Sequence, residues 1–208
     1  MANVLLGVTG SVAAIYTPQL FAELCQVGHT VKIVATKAAC YFFDVASIAP
    51  LASGQRNKDA MILDEDEWPG SRYQRDDPVL HIELRRWAEV LLIAPLDANT
   101  LAKLALGLTD NCLTCVYRAW DRSRRVLLAP AMNTLMWEHP ATARHLLQIA
   151  EDFGVGDVPK AWPVLNWIAW LNAQNSPLRI VPPISKQLAC DDIGIGAMAS
   201  RDSILAHL

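Results

Sequence analysis

No apolar run in this chain approaches the roughly 18 residues that a membrane-spanning helix needs, so a membrane protein is not expected. Positive charge is not in excess either. Lys and Arg number 18 against 21 Asp and Glu, a net charge of -3, which leaves no basic surface for nucleic acid. Charged residues make up only 19% of the 208 and hydrophobic residues 52%. That balance excludes disorder and allows one domain with a sizeable core. No basic stretch precedes the first apolar segment at Val4; the expectation is a cytoplasmic protein without a secretory signal. Cysteine is scarce and odd in number, five in all. Cys112 and Cys115 form a C-x-x-C, but no second pair completes a zinc site. No metal is therefore expected, and the thiols are read as reduced packing residues. Two nucleotide signatures are also missing: the chain has neither G-x-G-x-x-G nor a glycine loop ending in Gly-Lys-Ser/Thr.

What is present is an alternation of strand-like and helix-like segments. Asn3–Val8, Thr30–Ala35, Val90–Ala94 and Val126–Ala129 are apolar, partly β-branched runs, and Ile180-Val181 suggests a short last strand. Between them, Val12–Val27, Asn99–Leu106, Cys112–Ala119 and Ala141–Phe153 have helical spacing, with Gly28 as the C-cap of the first. Wholly apolar strands alternating with helices predict a single α/β domain, a three-layer fold with a parallel sheet covered on both faces. Residues 54–77 are polar and include the run Asp64-Glu65-Asp66-Glu67; they are expected to form a long solvated loop.

In open parallel sheets, ligands bind beyond the carboxyl ends of the strands. The residues found there are the candidate site. Gly7-Val8-Thr9-Gly10-Ser11 links the first strand to the first helix. Its glycines let backbone amides approach a ligand, and a helix start favours phosphate; a tight turn capped by Ser11 is the plainer alternative. Thr36 offers a hydroxyl to the same crevice, and a mononucleotide such as FMN suits its size. Asp97-Ala98-Asn99-Thr100 follows another strand and presents a carboxylate, an amide and a hydroxyl, for capping, for a ligand, or for both. Pro130–Trp137 places one amide, Asn133, among Met, Leu and Trp, where it either caps a helix or grips a ligand. His81 is either a satisfied core histidine or an acid/base group. Cys190 lies in a stretch with two Asp and two Gly, where a thiol is either structural or a proton donor or nucleophile.

Taken in order, these segments resemble the flavin-dependent cysteine decarboxylases. The resemblance runs from Val4 to about Met198. It is carried by Thr9–Ala13, Asp64–Trp68, His81–Ala88, Ala94–Leu101, Asp110-Asn111 with Arg118–Asp121, Pro130–Trp137, and Leu188-Ala189-Cys190 with Gly194-x-Gly196-Ala197-Met198. It implies a flavodoxin-like or Rossmann-like fold, bound FMN and a homotrimer. It also implies a small-molecule substrate, 4'-phosphopantothenoylcysteine, converted to 4'-phosphopantetheine in coenzyme A synthesis. Gly10, Ser11, Val12 and Thr36 would hold the phosphate side of FMN, and Asp97, Ala98, Asn99, Thr100 and Ala131 the rest. His81 and Cys190 would be catalytic, and Asn133 and Met136 would meet the substrate. A flavin-binding regulator of a protein phosphatase is the alternative reading.

Two places depart from the family pattern. The family has Gly after the clamp cysteine, whereas here Asp191 and Asp192 follow Cys190. Asp tolerates positive φ better than most residues, but its charge lies beside an anionic substrate, so the final reduction is the step expected to suffer. The second departure is an extra stretch at about 156–179, with Trp162, Trp167 and Trp170. A short apolar helix is expected there. Alone on the surface it would expose an apolar patch, for a subunit contact or a partner, unless it is simply a tolerated insertion. A substrate-clamp loop is expected at about 185–200.

Overall fold

The computed structural model describes the whole chain except residues 69, 73, 157–160 and 188–192. The elements in chain order are β1 (Asn3–Val8), α1 (Thr17–Gln26), β2 (Thr30–Ala35), β3 (Met61–Leu63), α2 (Leu80–Trp87), β4 (Val90–Leu96), α3 (Ala98–Leu106), α4 (Cys112–Arg118), β5 (Arg125–Pro130), α5 (Thr134–Glu138), α6 (Pro140–Asp152), α7 (Val164–Ala173), β6 (Leu178–Ile180), β7 (Ile184–Gln187), β8 (Ile193–Ala197) and α8 (Arg201–Leu205). The first six strands form one parallel sheet in the order β3-β2-β1-β4-β5-β6. β7 and β8 form a separate antiparallel hairpin. This is the Rossmann-like doubly wound order, and it reverses between β1 and β4.

Each strand feeds two cores because side chains alternate across a sheet. Leu5, Leu91, Ile93, Val126 and Leu128 face α2, α3, α4, α6 and α7, whereas Val4, Leu6, Leu92 and Leu127 face α1 and α8. Every residue of β4 is buried, which is why its sequence shows no polar alternation. Gly28 has φ +95° and donates to Cys25 O at 3.0 Å, so the predicted stop of the first helix is correct.

Three features differ from the sequence expectation. The helix predicted over Val12–Val27 is a 3-10 turn, Val12–Tyr16, followed by α1. Pro18 is the reason: it lacks an N–H and its ring clashes with a preceding turn, so it sits only at a helix start. Residues 54–77 are not simply a solvated loop. Met61 and Ile62 are buried as the edge strand β3, and Glu67 is buried beyond it. The third difference concerns the Trp-bearing stretch. It forms α7, but Trp167, Ile168 and Leu171 are fully buried in the chain's own core. Trp162 and Leu165 remain exposed. Asn172 at its end donates from Nδ2 to Ile180 O at 2.7 Å and accepts from Ile180 N–H at 3.0 Å. The side-chain amide thus substitutes for a neighbouring strand on the edge strand β6, where an unpaired backbone is a liability. Among the described residues, no helix is long and apolar enough to cross a membrane.

Candidate active site

The reversal of the sheet separates the ends of β1 and β4, and one buried hydroxyl ties them together. Thr9 Oγ1 donates to Pro95 O at 2.8 Å and accepts the Asp97 N–H at 2.7 Å. The Ala94–Pro95 peptide just before that carbonyl is cis. Gly10 follows at the point of closest approach. A Cβ there would lie 2.7 Å from Ala38 Cβ and 3.2 Å from Asp97 Oδ2, so the residue is glycine for lack of space.

Beside Gly10 opens a polar cleft of about 250 Å³ lined by Thr36, Asp97, Asn99 and Thr100, together with Lys37, Asp64, Lys103 and Asp110. Four residues read as flavin ligands from the sequence thus meet in one cleft. Side chains around the cleft also cap local turns. Asp97 caps α3 by accepting the Thr100 N–H at 2.6 Å, Ser11 accepts from Ala13 N–H at 3.4 Å, and Thr36 Oγ1 accepts from Ala39 N–H at 3.4 Å. The charges in the cleft are mixed. Burial pushes the Asp64 carboxyl up, opposed by N–H donors from Cys112 and Lys37 and aided by Asp110. Lys103 pairs with Asp110 at 2.5 Å.

A second, more apolar cleft of about 280 Å³ contains Ala98, Leu135, Met136, His139, Thr142 and His145. It joins Ala98, expected at the flavin, to Met136, expected at the substrate. Burial pushes the His145 imidazole down, with Arg144 adding to the effect. The sequence reading did not single out His139 or His145; His139 Nδ1 accepts the Ala141 N–H at 3.1 Å and so caps α6. Ala131 is buried, and Asn133 Oδ1 accepts the Leu135 N–H at 2.9 Å, capping α5.

The hairpin of β7 and β8 rests on this same turn. Met132 N–H donates to Gly196 O at 2.9 Å. A Cβ on Gly196 would lie 2.3 Å from Met132 O, and one on Gly194 would lie 2.4 Å from Thr134 Oγ1. The Gly194-x-Gly196 spacing is therefore a packing requirement. Cys190 and Asp191 lie outside the described residues; β8, which follows them, packs on the turn at Met132–Thr134.

His81 occupies the first turn of α2. Its backbone N–H donates to Glu67 Oε2 at 3.1 Å, and its ring Nδ1 contacts Glu67 Oε1. The acidic run expected to be solvated thus supplies an internal partner. It is held inward by Asp64, which accepts from Lys37 N–H at 3.3 Å and Cys112 N–H at 3.2 Å. Asp66 accepts from Leu63 N–H at 2.8 Å and is gripped by Arg56. Only the position of the run before His81 hinted at this. His81 itself lines neither cleft within one chain.

Comparison with known proteins places this geometry. Residues 1–208 match the flavoprotein family. The chain is 44% identical over 207 residues to phosphopantothenoylcysteine decarboxylase of Mus musculus, covering 99% of this chain and 85% of that one. It is 45% identical over 205 residues to the Arabidopsis thaliana protein of the same name, covering 97% and 81%. Among solved structures it resembles a Cys-to-Ser mutant of PPC decarboxylase complexed with pantothenoylaminoethenethiol. The TM-score is 0.76 and the identity 43%, over 98% of this chain and 94% of that one. It also resembles the FMN binding protein AtHal3, with TM-score 0.73 and 44% identity over 99% and 93%. The chain belongs to the flavoprotein family, among the phosphopantothenoylcysteine decarboxylases.

Proposed function

We propose that this chain catalyses the FMN-dependent decarboxylation of 4'-phosphopantothenoylcysteine to 4'-phosphopantetheine in coenzyme A synthesis. The observation that carries the reading is the 44–45% identity over nearly the whole chain to decarboxylases of that name, on a chain in which four of the nine expected flavin ligands line one cleft. The residues fit a flavin mononucleotide. Gly10 leaves a cradle that a Cβ would fill, with hydroxyls from Ser11 and Thr36 and the backbone of Val12 on the phosphate side. Asp97–Thr100 and Ala131 would hold the remainder. When bound, FMN supplies a two-electron acceptor and donor, which permits transient oxidation of the substrate's thiol carbon with no net redox change.

Loss of CO2 from a cysteine carboxylate leaves an electron pair on carbon, and a thioaldehyde at the neighbouring carbon receives it. Asn133 would hold the carboxylate so that its C–C bond aligns with that sink, with Met136 closing the site. His81 would move the thiol proton. The decarboxylated product is an enethiol, and Cys190 would protonate it as it is reduced. The complex of a Cys-to-Ser relative with an aminoethenethiol supports a cysteine at that last step. His81 lines neither cleft of its own chain, and Leu135 and Met136 are exposed beside one of them; both observations support a homotrimer in which subunits complete one another's sites. The free state of Cys25, Cys40, Cys112 and Cys115 suits a reducing cytoplasm.

The test is to mix the purified protein with the substrate, follow flavin absorbance and identify the product by mass spectrometry. Formation of 4'-phosphopantetheine with flavin returning to its oxidised state supports the reading. Flavin reduction that stops at the enethiol assigns a defect to the Cys190–Asp192 segment. No reaction with FMN bound refutes it in favour of a regulatory role. Sedimentation of the same sample tests the trimer.

A further inference from the structure

Among the described residues, Glu67 is the only Asp, Glu, Lys or Arg that is buried, with 2% of its surface exposed. A buried carboxylate costs several kcal/mol unless its lone pairs are occupied. Its two oxygens are used separately. Oε2 accepts the His81 backbone N–H at 3.1 Å, at the N-terminus of α2, where negative charge is favoured. Oε1 faces ring Nδ1 of the same residue. An ionised carboxylate only accepts hydrogen bonds, so this contact places the ring proton on Nδ1 and leaves Nε2 as the acceptor. The imidazole retains 19% of its side-chain exposure.

One other group shares the carboxylate: the Cys112 thiol also hydrogen-bonds Glu67. Cys112 and Cys115 approach Glu67 from α4. Burial pushes both thiols up, and Glu67 adds to the effect, so they stay protonated. Asp64 and Asp110 lie farther out on the same side and act in the same direction. Arg85 stands one turn along α2 from His81.

We propose that Glu67 is a positioning residue: it fixes His81 as the Nδ1–H tautomer, so that Nε2 takes the substrate proton. The inference rests on the decarboxylase reading above. A proton taken at Nε2 gives an imidazolium paired with the Glu67 carboxylate, and it leaves to water before the next turnover. Helix capping alone would use the backbone N–H and leave the ring free to choose its tautomer.

Two measurements test this. The first is the 15N spectrum of histidine-labelled wild-type holoprotein, with His81→Asn identifying the resonances. The Nδ1–H form is expected, and an Nε2–H form overturns the proposal. This measurement needs no turnover, so it stands apart from the decarboxylase reading, whose failure would appear as wild-type protein that releases no CO2. The second is the pH-rate profile of Glu67→Gln, which preserves an acceptor for the helix. We expect kcat to fall about 100-fold or more, KM to change little, and the acidic limb to move to lower pH as the imidazolium loses its partner. Glu67→Asp should recover part of both effects. A full rate in Glu67→Gln, or a lower rate with the limb unmoved, overturns the proposal. If Glu67→Gln fails to fold, the wild-type tautomer decides.

Discussion

Gly10→Ala tests the flavin cradle with a single methyl group. The added Cβ would stand 2.7 Å from Ala38 Cβ and 3.2 Å from Asp97 Oδ2, against about 3.5–4.0 Å for comfortable carbon contact. Relief of close to 1 Å is needed from neighbours with little freedom. Ala38 has no rotamer and moves only with its backbone. Asp97 caps α3 through a 2.6 Å bond to Thr100 N–H, and its own N–H is held by Thr9. Overpacking of this kind costs about 1–3 kcal/mol. If the turn relaxes in the free protein but must return to its original path around FMN, the cost appears as a loss of affinity of about 5- to 150-fold. Titrating apoprotein with FMN and following flavin fluorescence measures it, and thermal unfolding of the apoprotein shows any share taken by the fold. FMN affinity within twofold of wild type and an unchanged Tm would refute the placement of Gly10 at the cradle.

Four further outcomes are expected. Trp167→Ala should lower stability by about 3–5 kcal/mol in denaturant unfolding, because its side chain is 1% exposed; a loss under 1 kcal/mol would mean that α7 is not part of the core. Asn172→Ala should leave Ile180 N–H and C=O unpaired, at about 1–3 kcal/mol each, and speed amide exchange at Ile180; unchanged exchange would refute the edge clasp. Burial raises the Asp66 carboxyl, but hydrogen bonds from Arg56, Leu63 N–H and Lys58 outweigh it and hold the pKa at about 2. Its folded pKa lies below its unfolded one, so its contribution is full above about pH 4 and lost as pH falls toward 2. With discount for solvent screening it is on the order of 1 kcal/mol; proteolysis at residues 64–68 should rise over that window in wild type, whereas Asp66→Asn should be susceptible at neutral pH already. Cys190→Ser should decarboxylate once and stop at the enethiol, and full turnover by that variant would remove Cys190 from the reaction.

The sequence by itself determined the elements whose causes are local. Apolar runs long enough for a strand, Gly28 past a helix, and Asp97 and Asn133 as caps all act within a few residues, and each is found where the pattern places it. The strand ends that carry Gly10, Thr36 and Asp97 were equally legible, because a doubly wound sheet puts such turns on one edge. Pro18 is an equally local signal, but helical spacing alone runs the first helix through it, and the structure starts α1 there instead.

Only the tertiary structure decided what depends on contacts between distant segments. Nothing local distinguishes Glu67 from the exposed Glu65 two residues before it; burial against His81, fourteen residues on, makes the difference. Thr9 matters because β4 lies beside β1. The apolar face of α7 reads the same whether it meets a partner or its own core, and the sheet edge at β6 selects the core. Alternation and capping are properties of short segments, whereas the pairing of a buried charge, the closing of a sheet edge and the room around a glycine depend on which segments the fold brings together.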